Sequence, residues 1–136
     1  MIDLLLVDDD EDDRDLFCLA IQDLVPSVRI SIAANGEDAL KMLSADKRYR
    51  PDFIFLDLNL PRISGKECLV QLKKTDHLRD IPVIIYTTSK LQEDKAETKK
   101  LGAAHFITKP SKLTELNDAI LFVLSERETL HNGKRR

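Results

Sequence analysis

The chain has 136 residues, enough for one domain with a real core, and its 43% apolar and 33% charged residues place it among globular rather than disordered proteins. A formal net charge of −3 argues against a general nucleic-acid binder, which carries a basic field. Met1-Ile2-Asp3 opens the chain with neither a basic n-region nor a long apolar stretch, so no signal peptide and no membrane span are expected, and the cytoplasm is the default location.

Apolar runs of strand length alternate with segments of helical period. Strands are expected at residues 2–7, 28–33, 53–58, 82–87 and 104–108. Their apolar residues are continuous rather than alternating, the pattern of a parallel sheet covered on both faces. The first helix begins among the acids of residues 10–13, carries Leu16, Phe17, Ala20, Ile21 and Leu24 at three-and-four spacing, and stops at Pro26. The second starts at Asn35-Gly36 and uses Ala39, Leu40 and Leu43. The third runs over 64–74 with Cys68, Leu69 and Leu72 on one face. The fourth, at 92–101, has only Ala96 and Leu101 as apolar anchors, so it should be exposed and weakly held, with Gly102 as its C-cap. The fifth covers 113–124 with Leu116, Ile120, Val123 and Leu124. Cys18 and Cys68 fall inside helical patterns and read as separate thiols rather than a disulfide. Residues 1–126 form the expected domain, and 127–136 a polar, fraying tail. Strict alternation predicts a right-handed, doubly wound α/β sandwich of three layers, whose ligand site lies beyond the carboxyl ends of the strands.

That edge collects the chemistry. Leu4-Leu5-Leu6-Val7 ends in Asp8-Asp9, and Phe53-Ile54-Phe55-Leu56 ends in Asp57. A carboxylate at the end of a buried strand is unfavourable without a counter-charge, and three crowded together raise each other's pKa. Residues 10–13, by contrast, read as a solvated acidic turn favouring a helix N-terminus. A hard divalent cation such as Mg²⁺ takes oxygen ligands and needs only one or two carboxylates. Alone, Asp57 reads equally as a loop cap. Beside a metal, its carboxylate is able to attack a phosphoryl group and form an acyl phosphate. Asn59, two residues on, brings a backbone carbonyl near the metal, and Pro61 and Gly65 shape the loop. The Thr87 hydroxyl, undecided by itself, would donate to a phosphoryl oxygen when placed beside Asp57. Lys109, directly after Phe106-Ile107-Thr108 and before Pro110, is the charge partner.

These elements together (Val7-Asp8-Asp9, Asp57 with Asn59-Leu60-Pro61 and Gly65, Thr87, Lys109-Pro110) resemble the receiver domain of two-component response regulators. The resemblance covers nearly the whole chain, from Ile2 to Leu124. It implies a flavodoxin-like fold with five parallel strands in order 2-1-3-4-5 and five helices. It implies that Asp57 accepts a phosphoryl group from a histidine kinase or histidine phosphotransfer protein. Asp9, Asp57 and the Asn59 carbonyl would hold Mg²⁺ (or Mn²⁺), with Asp8 acting through water, and Thr87 and Lys109 would bind the phosphoryl oxygens. Phe106 falls at the family's aromatic switch position, working with Thr87. The Lys109-Pro110 bond is expected to be cis. Asn59 and Ser89 occupy the positions linked to the rate at which water removes the phosphoryl group. Tyr86-Thr87-Thr88-Ser89, with Asp8-Asp9-Asp10 and Leu58-Asn59-Leu60-Pro61, looks like one branch of single-domain receivers, a branch that includes small regulators partnered with phytochrome-type kinases. Ser111 departs from the pattern, since many receivers carry an apolar residue there.

About a dozen polar and basic residues follow Leu124, which leaves no room for a DNA-binding or enzymatic output domain. The expected output is therefore a change in the protein's own surface, through homodimerisation or partner capture on the fourth helix, fifth strand and fifth helix, without nucleic acid or membrane. An enzyme of the haloacid-dehalogenase type wants an aspartate two residues after its nucleophile, where this chain has Asn59. A flavodoxin wants a Gly/Ser/Thr-rich phosphate loop where this chain has acids. A receiver-like module that never becomes phosphorylated is opposed by the intact acidic set.

Overall fold

The computed structural model describes residues 1–126; the expected tail at 127–136 lies outside the described residues. Five strands and five helices alternate: β1 Asp3–Val7, α1 Glu11–Leu24, β2 Arg29–Ala33, α2 Gly36–Ala45, β3 Phe53–Leu56, α3 Gly65–Lys74, β4 Val83–Thr87, α4 Gln92–Lys100, β5 His105–Thr108 and α5 Leu113–Ser125. The sheet is parallel throughout, in the order β2-β1-β3-β4-β5, as the resemblance implied. Asp57 falls just past β3 instead of inside it, because the strand ends at Leu56.

Strand residues alternate between the two faces, which is why the buried middle strands β1, β3 and β4 are apolar at nearly every position, whereas the edge strand β2 carries Arg29 and Ser31. On one face Leu5, Val7, Ile54, Leu56, Val83 and Ile85 pack against Ala39 and Leu43 of α2 and Cys68, Leu69 and Leu72 of α3. On the other, Leu4, Leu6, Phe53, Phe55, Ile84 and Tyr86 meet Phe17, Ala20 and Ile21 of α1 and Leu116, Ile120 and Val123 of α5. Leu16 departs from its expected core role: it stands at the margin of the α1 stripe and is 40% exposed. Both cysteines are free thiols. Among the described residues no helix is long and apolar enough to cross a membrane.

Polar caps fix the starts of the first three helices. Asp10, Asn35 and Ser64 each accept a hydrogen bond from the backbone N–H three residues on. The fourth helix is exposed as expected, but its expected anchor Ala96 faces solvent, because the helix turns Thr98 inward instead. Its one buried residue is Thr98, whereas buried leucines such as Leu69 and Leu72, roughly 1.5–3 kcal/mol each, hold α3. Past Leu101 the chain turns at Gly102 with φ 105°, a conformation that favours glycine.

Candidate functional site

Parallel register brings the acids together. Val7 of β1 lies opposite Leu56 of β3, so the residues that follow each strand, Asp8 and Asp57, emerge side by side. The Asp57 N–H donates to the Val7 carbonyl (3.0 Å), extending the ladder one step into the site. Asp8 is fully buried and Asp57 is 4% exposed, while Asp9 is exposed. One carboxylate oxygen from each of Asp8, Asp9 and Asp57 lies within 4.8 Å of the others. This all-oxygen donor set fits a hard divalent cation.

Lys109 closes the site from β5. Its N–H donates to the Thr87 carbonyl (2.7 Å), which aligns the end of β5 with the end of β4. Its ammonium then reaches Asp13 Oδ2 at 2.7 Å, Asp8 Oδ2 at 2.8 Å and Asp57 Oδ2 at 3.1 Å. It also stands 5.4 Å above the centre of the Tyr86 ring. Burial alone would push the Lys109 pKa down, but Asp13, Asp8 and Asp57 outweigh it and hold the ammonium above the usual lysine range. Burial pushes the Asp8 carboxyl up, against the opposing pull of Lys109 and of the Asp10 N–H.

Asp13 is the residue that the sequence reading missed. It lies among the acids read as a solvated turn, and instead it pairs with Lys109. The signal was its place on α1: four residues before the buried Phe17, it shares the helix face turned toward the sheet. Arg14 was also missed; its Nη1 donates to the Asp8 carbonyl (2.9 Å).

The Asn59 N–H donates to Asp57 Oδ1 (3.2 Å), and its side-chain amide reaches Thr88 Oγ1 at 3.4 Å. Gly65 is required by close approach. A Cβ there would lie 2.1 Å from the Asp57 carbonyl oxygen and 2.6 Å from the Leu58 Cα. Thr87 is fully buried at the end of β4, and its hydroxyl accepts from the Ser89 N–H at 3.4 Å. Phe106 lies opposite Ile85 and is half-buried at a cavity of ≈ 340 Å³ between α4 and β5, lined also by Lys95, Thr98 and Lys99.

The expected cis bond is corrected: every peptide bond among the described residues is trans, including Lys109–Pro110. An X–Pro bond favours trans by roughly 0.5–1 kcal/mol, and the β5 register and the Lys109 contacts are all made in that form.

Comparison with known proteins places the sequence and the fold in one family. The family model described as "Response regulator receiver domain" matches residues 4–121. Response regulator Rcp1 of Synechocystis sp. (strain ATCC 27184 / PCC 6803 / Kazusa) is 32% identical over 117 residues, covering 83% of this chain and 80% of that protein. A probable cyclic di-GMP phosphodiesterase of Vibrio cholerae is also 32% identical over 117 residues, but the match spans only 25% of its length. The solved structure of the Mn²⁺-bound form of Rcp1 superposes with a TM-score of 0.80 at 29% identity, covering 92% of this chain and 93% of that one. The phosphorylated cyanobacterial phytochrome response regulator RcpA superposes with a TM-score of 0.83 at 28% identity, covering 92% of each chain. With the family pattern matched over most of its length and the same fold in solved relatives, this chain belongs to the response regulator receiver domain family.

Proposed function

We propose that this chain is a phosphoacceptor, taking a phosphoryl group on Asp57 from a phosphohistidine of a sensor kinase or of a histidine phosphotransfer protein. The observation that carries this reading is the convergence of Asp8, Asp13 and Asp57 on one buried ammonium, with Asp9 alongside. In the transfer, an Asp57 carboxylate oxygen bonds to phosphorus as the P–N bond breaks and its electron pair returns to the imidazole. Asp8, Asp9, Asp57 and the Asn59 carbonyl would hold Mg²⁺, or Mn²⁺, the ion named for Rcp1. The bound cation supplies positive charge that offsets the carboxylates and the phosphoryl oxygens. Lys109 exchanges its contact with Asp57 for one with the new phosphoryl oxygens, and Thr87 donates its hydroxyl to another. Phe106, on the strand beside Thr87, repacks with it as the switch. Asn59 and Ser89 tune the access of water.

The output follows from surface chemistry. Leu121 and Phe122 of α5 are 47% and 58% exposed, and His105 of β5 stacks edge-on against Phe122 (5.5 Å). This favours homodimerisation through α4, β5 and α5, within the cytoplasm. The test is intact-mass measurement after incubation with Mg²⁺ and acetyl phosphate. The wild type gains one phosphoryl group and Asp57→Asn gains none; label on both, or on neither, overturns the reading. Size exclusion with and without beryllofluoride reads the output, and an unchanged elution volume would remove dimerisation.

A further inference from the structure

The loop that follows Thr87 is held by a polar chain that begins on a different helix. Lys66, in the first turn of α3, donates from Nζ to Asp94 Oδ1 (2.6 Å) and Glu97 Oε2 (2.9 Å) of α4. Asp94 accepts through its other oxygen from the Ser89 hydroxyl (2.6 Å). That hydroxyl in turn accepts from the Leu91 N–H (3.2 Å), the Ser89 carbonyl accepts from Thr108 Oγ1 (2.9 Å), and the Ser89 N–H donates to Thr87 Oγ1 (3.4 Å). Ser89 therefore has its backbone and side-chain groups all engaged, with its hydroxyl proton turned toward Asp94 of α4. α4 buries only Thr98, and the Lys66 pairs tie its exposed face to α3.

We infer that Lys66 and Asp94 are positioning residues that hold the Ser89 hydroxyl out of the phosphoryl site and so lengthen the life of the Asp57 acyl phosphate. The inference rests on the phosphoacceptor reading. In hydrolysis a water oxygen bonds to phosphorus and the P–O bond to Asp57 breaks. Its electron pair returns to the carboxylate, and the water's protons go to the released phosphate and to solvent. A Ser89 hydroxyl freed from Asp94 can rotate inward and hydrogen-bond that water.

The experiment follows loss of the phosphoryl group by intact mass after removal of acetyl phosphate, together with hydrogen exchange of residues 88–92 in the unphosphorylated protein. Asp94→Ala and Lys66→Met should each shorten the phosphoryl lifetime about fivefold, the effect of one hydrogen bond. Lys66→Arg should restore it, and adding Ser89→Ala to Asp94→Ala should abolish the gain. Exchange at Leu91 should rise in Asp94→Ala and Lys66→Met. A wild-type lifetime in Asp94→Ala overturns the inference, as does an acceleration that persists without the Ser89 hydroxyl. Failure of the wild type to label at all would refute the phosphoacceptor reading and the lifetime role with it, while the exchange data would still report whether the chain holds the loop.

Discussion

Lys109 is one cation facing three carboxylates, at 2.7, 2.8 and 3.1 Å, in a site where Asp8 is wholly buried and Asp57 nearly so. Two opposite substitutions weigh that balance. Lys109→Met leaves Asp8 and Asp57 buried without a counter-ion, and metal-free stability should fall by about 3 kcal/mol in urea unfolding. Added Mg²⁺ should recover part of it. Asp8→Asn works the other way. Burial raises the Asp8 carboxyl above its unfolded value of 3.8, so the folded chain keeps this proton longer than the unfolded chain does. Its stabilising contribution is complete below that value and is lost as pH rises through the folded one, so at neutral pH the ionised group is a net burden. Asp8→Asn should therefore raise the metal-free thermal midpoint and shrink the increment produced by Mg²⁺; a lowered midpoint would refute this account of the site's charge.

At the scale of elements, the turn between β3 and α3 has no slack. A Cβ on Gly65 would meet backbone at 2.1 and 2.6 Å, whereas one on Gly36 meets the movable Ile63 side chain at 2.9 Å. Gly65→Ala should cost about 2–3 kcal/mol and slow labelling of Asp57, because the loop that must shift carries the Asp57 carbonyl. Gly36→Ala should be milder on both measurements, and equal effects would mean that backbone contact is not the reason for Gly65. The elements themselves were legible because burial on both sheet faces forces continuous apolar runs and each helix carries one stripe. Asp8, Asp57 and Lys109 were legible because each interrupts or ends such a run. Asp13 was hidden inside an acidic run whose helix-start role is also real, and its partner lies 96 residues away. Similarly, the sparse apolar content of α4 announced weak anchoring, while the Lys66 pairs that compensate depend on a helix distant in sequence. Side-chain pairing across elements carries no periodicity to read.

Across the whole molecule, the two cores clasp one sheet whose carboxyl edge carries the charge, and alkaline pH probes both at once. Cys68, in the α2–α3 core, is pushed by burial up to about 11 from 9.0. Burial likewise pushes Tyr86, in the α1–α5 core beneath Lys109, up to about 12 from 10.0. Lys109 keeps its proton above the usual lysine range despite its burial, held by Asp13, Asp8 and Asp57. All three hold their protons longer when folded, so each contributes stability that is complete below its unfolded pKa and lost as pH rises toward its folded value. Stability should be flat near pH 8 and fall above about 9, steepening past about 10. The Tyr86 share is separable, because Tyr86→Phe removes the ionisation and keeps the ring that packs on Phe17 at 5.4 Å. Between about pH 10 and 12 the phenol should account for about 2 kcal/mol of the loss. Urea midpoints taken across that window should therefore descend less steeply in Tyr86→Phe than in the wild type. Parallel curves would mean that the phenol ionises as freely in the folded chain as in the unfolded one, and that the α1–α5 core does not exclude water at the base of the site.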